Sequence, residues 1–218
     1  MTDQLIIALA QINPTVGDLD GNAELIRNAR RHAAEYAADI VVFSELVICG
    51  YPPEDLVLRP NFQRQVRTIV ESLASDTADG GPALLVGAPW IDGAALHNAA
   101  LLLDQGEIAA VRFKHCLPNY GVFDEKRVFS AGPLPGPINF RDVRLGVMVC
   151  EDMWTSEVTE CLQESGAELL VVLNGSPFDI SKGEARLQQS VSRVTESNLP
   201  LIYVNQVGGQ DDLVFDGA

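Results

Sequence analysis

Three reactive side chains close apolar runs in this chain: Glu45 after residues 40–43, Lys114 after 108–113, and Cys150 after 145–149. Short apolar runs of that kind read as strands, and ligand sites in α/β sheets gather where the carboxyl ends of strands meet loops. An acid, an amine and a thiol brought together there suggest covalent catalysis without histidine. The thiol would be the nucleophile and the carboxylate would remove its proton. The ammonium would favour the thiolate and then balance the developing oxyanion. Position alone leaves plainer readings open. A Cys ending an apolar run is more often a small buried hydrophobe. Glu45 can equally be a loop or capping acid, and Lys114 an exposed hairpin end.

The elements that must position these residues alternate between two periods. Residues 5–12 read as a strand closed by Asn13-Pro14. Residues 22–37 place Leu25, Ile26, Ala29, Ala33, Tyr36 and Ala37 on one helical face, with Asp20 or Asn22 as the cap. A strand over 39–45, a proline-rich loop from Gly50 to Pro53, a helix over 61–73 and a strand over 83–91 follow. Asp104-Gln105-Gly106 joins 97–103 to 107–114 as a hairpin, and 115–135 is a long loop of the kind usually kept for function. A second hairpin pairs 137–140 with 143–150. Thr155 caps a short helix ending at Gly166, then come a strand over 169–173, a helix over 183–197 and a strand over 200–207. The βα units imply parallel pairing and the hairpins antiparallel pairing. Two sheets packed face to face, with helices outside, accommodate both. A further strand is under way from Leu213 to the last residue, as expected of a domain cut in its final strands.

Composition removes several functions. Fifteen basic against thirty acidic side chains give a formal charge of −15, which excludes a nucleic-acid or anionic-membrane partner. No run approaches a membrane span, and Asp3 stands where a signal peptide carries Lys or Arg, so the cytoplasm is expected. There is no dinucleotide-binding glycine fingerprint, phosphate-binding loop or serine-nucleophile elbow. The three histidines do not cluster. A His115–Cys116 zinc pair has an uncommon spacing, and Glu151-Asp152 reads as a hydrogen-bonded loop pair rather than a metal site, so no metal is expected. Tyr51-Pro52-Pro53 is either a peptide-binding turn or a rigid wall of the site. Cys116 and Cys161 read as packing residues.

Three blocks resemble the nitrilase superfamily of carbon–nitrogen hydrolases: Phe43-Ser44-Glu45-Leu46, Lys114 to Tyr120, and Val149 to Trp154. The order and separations of the acid, the amine and the thiol fit that family. Gly50 to Leu56, Tyr120 to Phe129 and Asn205 to Asp212 are most similar to the N-terminal glutaminase domain of bacterial glutamine-dependent NAD synthetases. The resemblance implies a nitrilase-like α-β-β-α sandwich with two mixed sheets, residues 1–218 forming one glutaminase domain. It implies Glu45 as base, Lys114 as oxyanion-stabilising cation, Cys150 as nucleophile and Glu125 as the second glutamate that holds the lysine. Tyr120, Ser176 and Lys182 fall at glutamine-contacting positions, and the backbone N–H of Glu151 would complete the oxyanion hole. Glutamine hydrolysis needs no cofactor. ATP and deamido-NAD would belong to a synthetase domain absent from this chain, which would accept the ammonia. A homo-oligomer is implied as well. The alternatives are a stand-alone nitrilase-type amidase or carbamoylase on another small amide, and a non-catalytic assembly domain.

Overall fold

The computed structural model describes residues 4–180 and 182–217. One sheet holds β1 (Ile7–Leu9), β2 (Ile40–Val42), β3 (Ala83–Asp92), β4 (Ala95–Asp104) and β5 (Glu107–Phe113), in that spatial order. β1, β2 and β3 run parallel, whereas β4 and β5 fold back antiparallel. Two reversals return β5 to the direction of β2, so both strands end at the same edge. The second sheet is β6 (Ile138–Phe140), β7 (Val143–Val149), β8 (Leu169–Asn174) and β9 (Leu201–Asn205). There β6 and β7 are antiparallel, and β7, β8 and β9 parallel.

The layers follow from side-chain alternation along fully buried strands. Ile40 and Val42 of β2, with Leu85, Ala100 and Leu102, face Leu145, Val147, Val171 and Leu173 of the other sheet. Val41 and Phe43 turn outward onto Ile26, Val66 and Val70 of helices α1 (Leu19–Glu35) and α2 (Pro60–Asp76). On the far side Met148, Leu170 and Val172 pack under Val158 and Leu162 of α4 (Ser156–Glu164), which α5 (Lys182–Ser197) adjoins. Each such buried aliphatic side chain contributes about 1.5–3 kcal/mol. This is the α-β-β-α sandwich with two mixed sheets that the resemblance implies. No helix among the described residues is long and apolar enough to cross a membrane.

Several boundaries differ from the sequence reading. The first helix starts earlier, at Leu19, and Asp18 caps it by accepting from the Gly21 amide, displacing Asp20 and Asn22 from that role. β3 and β4 form a hairpin that the sequence reading leaves unjoined, turning at Gly93 with φ 58°. One helical turn, α3 (Glu125–Val128), stands inside the long loop. The strand expected over 200–207 stops at Asn205, and Val207–Gln210 (β10) pairs instead with Leu213–Asp216 (β11) as a separate hairpin. The last residue, Ala218, lies outside the described residues.

Candidate active site

The carboxyl ends of β2, β5, β7 and β8 meet at one edge of the sandwich. Glycine makes two of the close approaches there. At Gly87 of β3 a side chain would stand 2.9 Å from the Glu45 carbonyl carbon, so only glycine lets the turn after β2 lie against β3. At Gly175, just past β8, a Cβ would come within 2.8 Å of Glu45 Oε2. The Glu45 amide donates to the Asn174 carbonyl at 3.3 Å and so joins the two sheets beside the acid.

Glu45 and Lys114 are wholly buried. The Lys114 ammonium donates to Glu45 Oε1 at 2.7 Å and to Glu125 Oε1 at 2.8 Å. Glu125 opens α3, and the Tyr51 hydroxyl also donates to its Oε1, at 3.0 Å. Asn98 of β4 reaches both acids, donating to Glu45 Oε1 at 2.7 Å and Glu125 Oε2 at 3.4 Å. Two carboxylates around one cation leave a net negative cluster away from water. Burial, only partly offset by Lys114, raises Glu45 to about 7, where a carboxylate can trade protons at neutral pH. Burial works against charge on Lys114, but Glu125, Glu45 and Cys150 together hold its ammonium well above the ordinary lysine range.

Cys150 follows β7 at the head of a 3₁₀ turn (Cys150–Met153), with φ at 48°, a left-handed geometry few side-chain-bearing residues adopt. It is buried and within electrostatic reach of Glu45, Lys114 and Glu125. Burial and the two carboxylates outweigh Lys114 and the Gly175 amide, so the resting group is a thiol with its pKa well above the ordinary cysteine range. Lys114 lowers the cost of the thiolate without making it the ground state. A proton acceptor at the moment of attack is therefore required, and Glu45 is the candidate.

A family model described as carbon–nitrogen hydrolase matches residues 6–218. The chain belongs to the carbon–nitrogen hydrolase family. It is 45% identical to a glutamine-dependent NAD(+) synthetase of Rhodobacter capsulatus over 218 residues, all of this chain and 39% of that protein. The solved glutamine-dependent NAD+ synthetase from Acinetobacter baumannii, in complex with adenosine diphosphate, superposes with a TM-score of 0.91 at 36% identity, over 97% of this chain and 40% of that one. A mutant amidase from Nesterenkonia sp. AN1, which shows Michael addition of acrylamide at its active-site cysteine, superposes with a TM-score of 0.84 at 28% identity over 98% of this chain and 83% of that one. The chain thus spans about two-fifths of the length of the synthetases it matches.

In this carbon–nitrogen hydrolase two of the residues expected to meet substrate, Lys182 and Tyr120, lie around one ring. Lys182 Nζ sits 4.7 Å from the Phe123 ring centroid, and Tyr120 packs edge-on to the same ring at 5.4 Å. Phe123 in turn touches Tyr51 at 6.4 Å, which leads to Glu125. The half-exposed Tyr120 donates its hydroxyl to Glu151 Oε2 at 2.9 Å, while the Glu151 amide directly follows Cys150 in the turn. Ser176, next to Gly175, is buried.

Sequence reasoning missed Asn98 and Asn205, which help hold this carbon–nitrogen hydrolase site in shape. The Asn205 side chain accepts from the Ser176 amide at 3.0 Å and donates to the Ser176 carbonyl at 3.1 Å, clamping the loop after β8. Asp152 accepts from the His115 and Cys116 amides at 3.0 and 2.8 Å and from the Val149 amide at 3.0 Å. It ties the segment after Lys114 to the segment before Cys150, which is the hydrogen-bonded role expected of that acid. Burial lifts it to about 6 against those donors. The signal for Asn98 and Asn205 was a lone amide within, or at the end of, an apolar run.

Proposed function

We propose that the chain is a glutamine amidohydrolase that supplies ammonia for NAD synthesis. What carries the reading is a buried acid–amine–acid cluster beside Cys150, in a chain matched along its whole length by glutamine-dependent NAD(+) synthetases. Glu45 takes the Cys150 proton as sulfur attacks the side-chain amide carbon of glutamine. Lys114 and the Glu151 amide balance the oxyanion; removing one such donor typically costs roughly two to three orders of magnitude in rate. The carbon–nitrogen bond then breaks, nitrogen takes the proton from Glu45, and ammonia leaves a thioester. Water, deprotonated by Glu45, attacks that thioester and releases glutamate. The proton returns to sulfur. No cofactor enters these steps. ATP and deamido-NAD belong to a synthetase partner that accepts the ammonia, and the setting is cytoplasmic, with a homo-oligomeric assembly.

Lys182 governs recognition in this reading. Free glutamine brings an α-carboxylate that needs a cation on leaving water, and a hydrogen bond to a charged group contributes roughly 1.5–3 kcal/mol. Lys182→Ala is expected to raise KM for glutamine by roughly tenfold to a hundredfold with a smaller loss in kcat. Against a simple amide without the carboxylate it should cost little. The likeness to the Nesterenkonia amidase favours a second reading, a stand-alone amidase. Steady-state ammonia release with both substrates decides between them: an equal loss on both makes Lys182 structural and removes the support for glutamine.

A further inference from the structure

Asn98 is a fully buried amide in the apolar middle of β4. Its Nδ2 and the Lys114 ammonium converge on the same oxygen of Glu45, Oε1, each at 2.7 Å. Oε2 of Glu45 is sealed from solvent and has no hydrogen-bond partner among the described residues. It faces Gly175, whose missing side chain would stand 2.8 Å away, and the Gly175 amide favours the Cys150 thiolate. The two oxygens of one carboxylate are thus in different settings.

The terminal torsion of a glutamate is broad, so a carboxylate held by a single contact can swivel. An ammonium is a point charge with three rotatable donors and does not fix that plane. A planar amide anchored in a strand does. Asn98 also spans to Glu125 Oε2 at 3.4 Å, so one rigid group references both acids to β4.

We propose that Asn98 is a positioning residue for proton transfer: with Lys114 it occupies Glu45 Oε1, fixes the carboxylate plane and leaves Oε2 to take the Cys150 proton. The inference rests on Glu45 acting as the base for Cys150. The groups facing Glu45 are Lys114 at the end of β5, Glu125 at the start of α3, Cys150 after β7, and Tyr51 and Cys49 in the segment after β2. Beside them, the Asn98 hydrogen bond favours the ionised form of Glu45, so its loss raises the pH at which the base is ready.

The test uses acrylamide, which needs no glutamine recognition. Michael addition joins sulfur to the terminal alkene carbon and puts a proton on the carbon beside the carbonyl, with no leaving group and no oxidant. The rate of addition at Cys150, located by mass spectrometry, is followed against pH in the 218-residue chain and in Asn98→Leu. The variant should react roughly tenfold more slowly at neutral pH. The acidic limb of its profile should move up by roughly one pH unit, the size of one hydrogen bond to a charged group. Asn98→Asp keeps the shape if the leucine variant does not fold, and its limb should move further, because a third carboxyl replaces the donor. A folded variant with a uniform rate loss and an unmoved limb would overturn the inference. The glutaminase reading is scored separately: a shifted limb in a chain that releases no ammonia from glutamine sinks that reading and leaves Asn98 in its role.

Discussion

Cys150→Ala is expected to abolish ammonia release from glutamine, by roughly four orders of magnitude or more, while the protein stays folded. The scale is that of removing a covalent nucleophile whose partners act only through it. The fold should survive because Cys150→Ala removes one sulfur atom from a core held by many larger aliphatic side chains. Serine is no rescue. Its hydroxyl is a far weaker acid than a thiol, and burial already pushes the Cys150 thiol upward against Lys114. An ammonia assay together with thermal unfolding of both variants checks this, and retained turnover in either would remove Cys150 from the mechanism.

The second large effect is on stability. Lys114→Met leaves Glu45 and Glu125 buried face to face without their cation. Breaking a buried ion pair from one side costs about 3–5 kcal/mol, a large share of the roughly 5–15 kcal/mol that holds a domain together. At about 2–4 °C per kcal/mol for a chain of this size, Tm should fall by roughly 6–20 °C. The loss should depend on pH in a defined direction. Lys114 is the foremost influence lowering Glu45, so without it the folded-state pKa climbs further above the ordinary glutamate value. An acid with a raised folded-state pKa loses stability as pH rises from its unfolded value through its folded one. With Lys114 present Glu45 is already raised to about 7, so both proteins lose stability alike up to that pH, and the deficit of Lys114→Met should widen above about pH 7. Adding Glu125→Gln should return part of the lost stability, because it removes one of the two unpaired charges. A pH-independent deficit that Glu125→Gln deepens would show that Lys114 acts by packing alone.

Much of this arrangement is legible in the residues, because local physics decides it. The helical period over 22–37 and the apolar runs of β2, β5 and β7 put the acid, the amine and the thiol at strand ends before any geometry is known. What stays hidden depends on partners distant in sequence. Asp18 caps the first helix because the turn before it is held from outside, by the Gly17 amide on the Cys49 carbonyl at 2.9 Å. The apolar run of residues 200–207 reads as one strand, yet Gly208, at φ 110°, passes so close to Asn13 that a side chain there would clash with it. Residues 83–91 and 97–103 pair across Asp92-Gly93, a hairpin dipeptide that the sequence reading above leaves unused. An adjacent ammonium argues for a thiolate at Cys150, and only the full enclosure by protein and two acids reverses the balance.

The most direct measurement is mass spectrometry of the chain after treatment with diazo-oxo-norleucine, a glutamine analogue whose diazo carbon alkylates sulfur as nitrogen gas leaves. The chain has four cysteines, all free thiols, of which Cys116 and Cys161 are more open to solvent than Cys150. Chemical exposure alone would therefore favour the wrong residues. The expected result is a single adduct at Cys150, slowed by added glutamine. Adducts spread across Cys49, Cys116 and Cys161, or no adduct at Cys150, would contradict glutamine hydrolysis at this site.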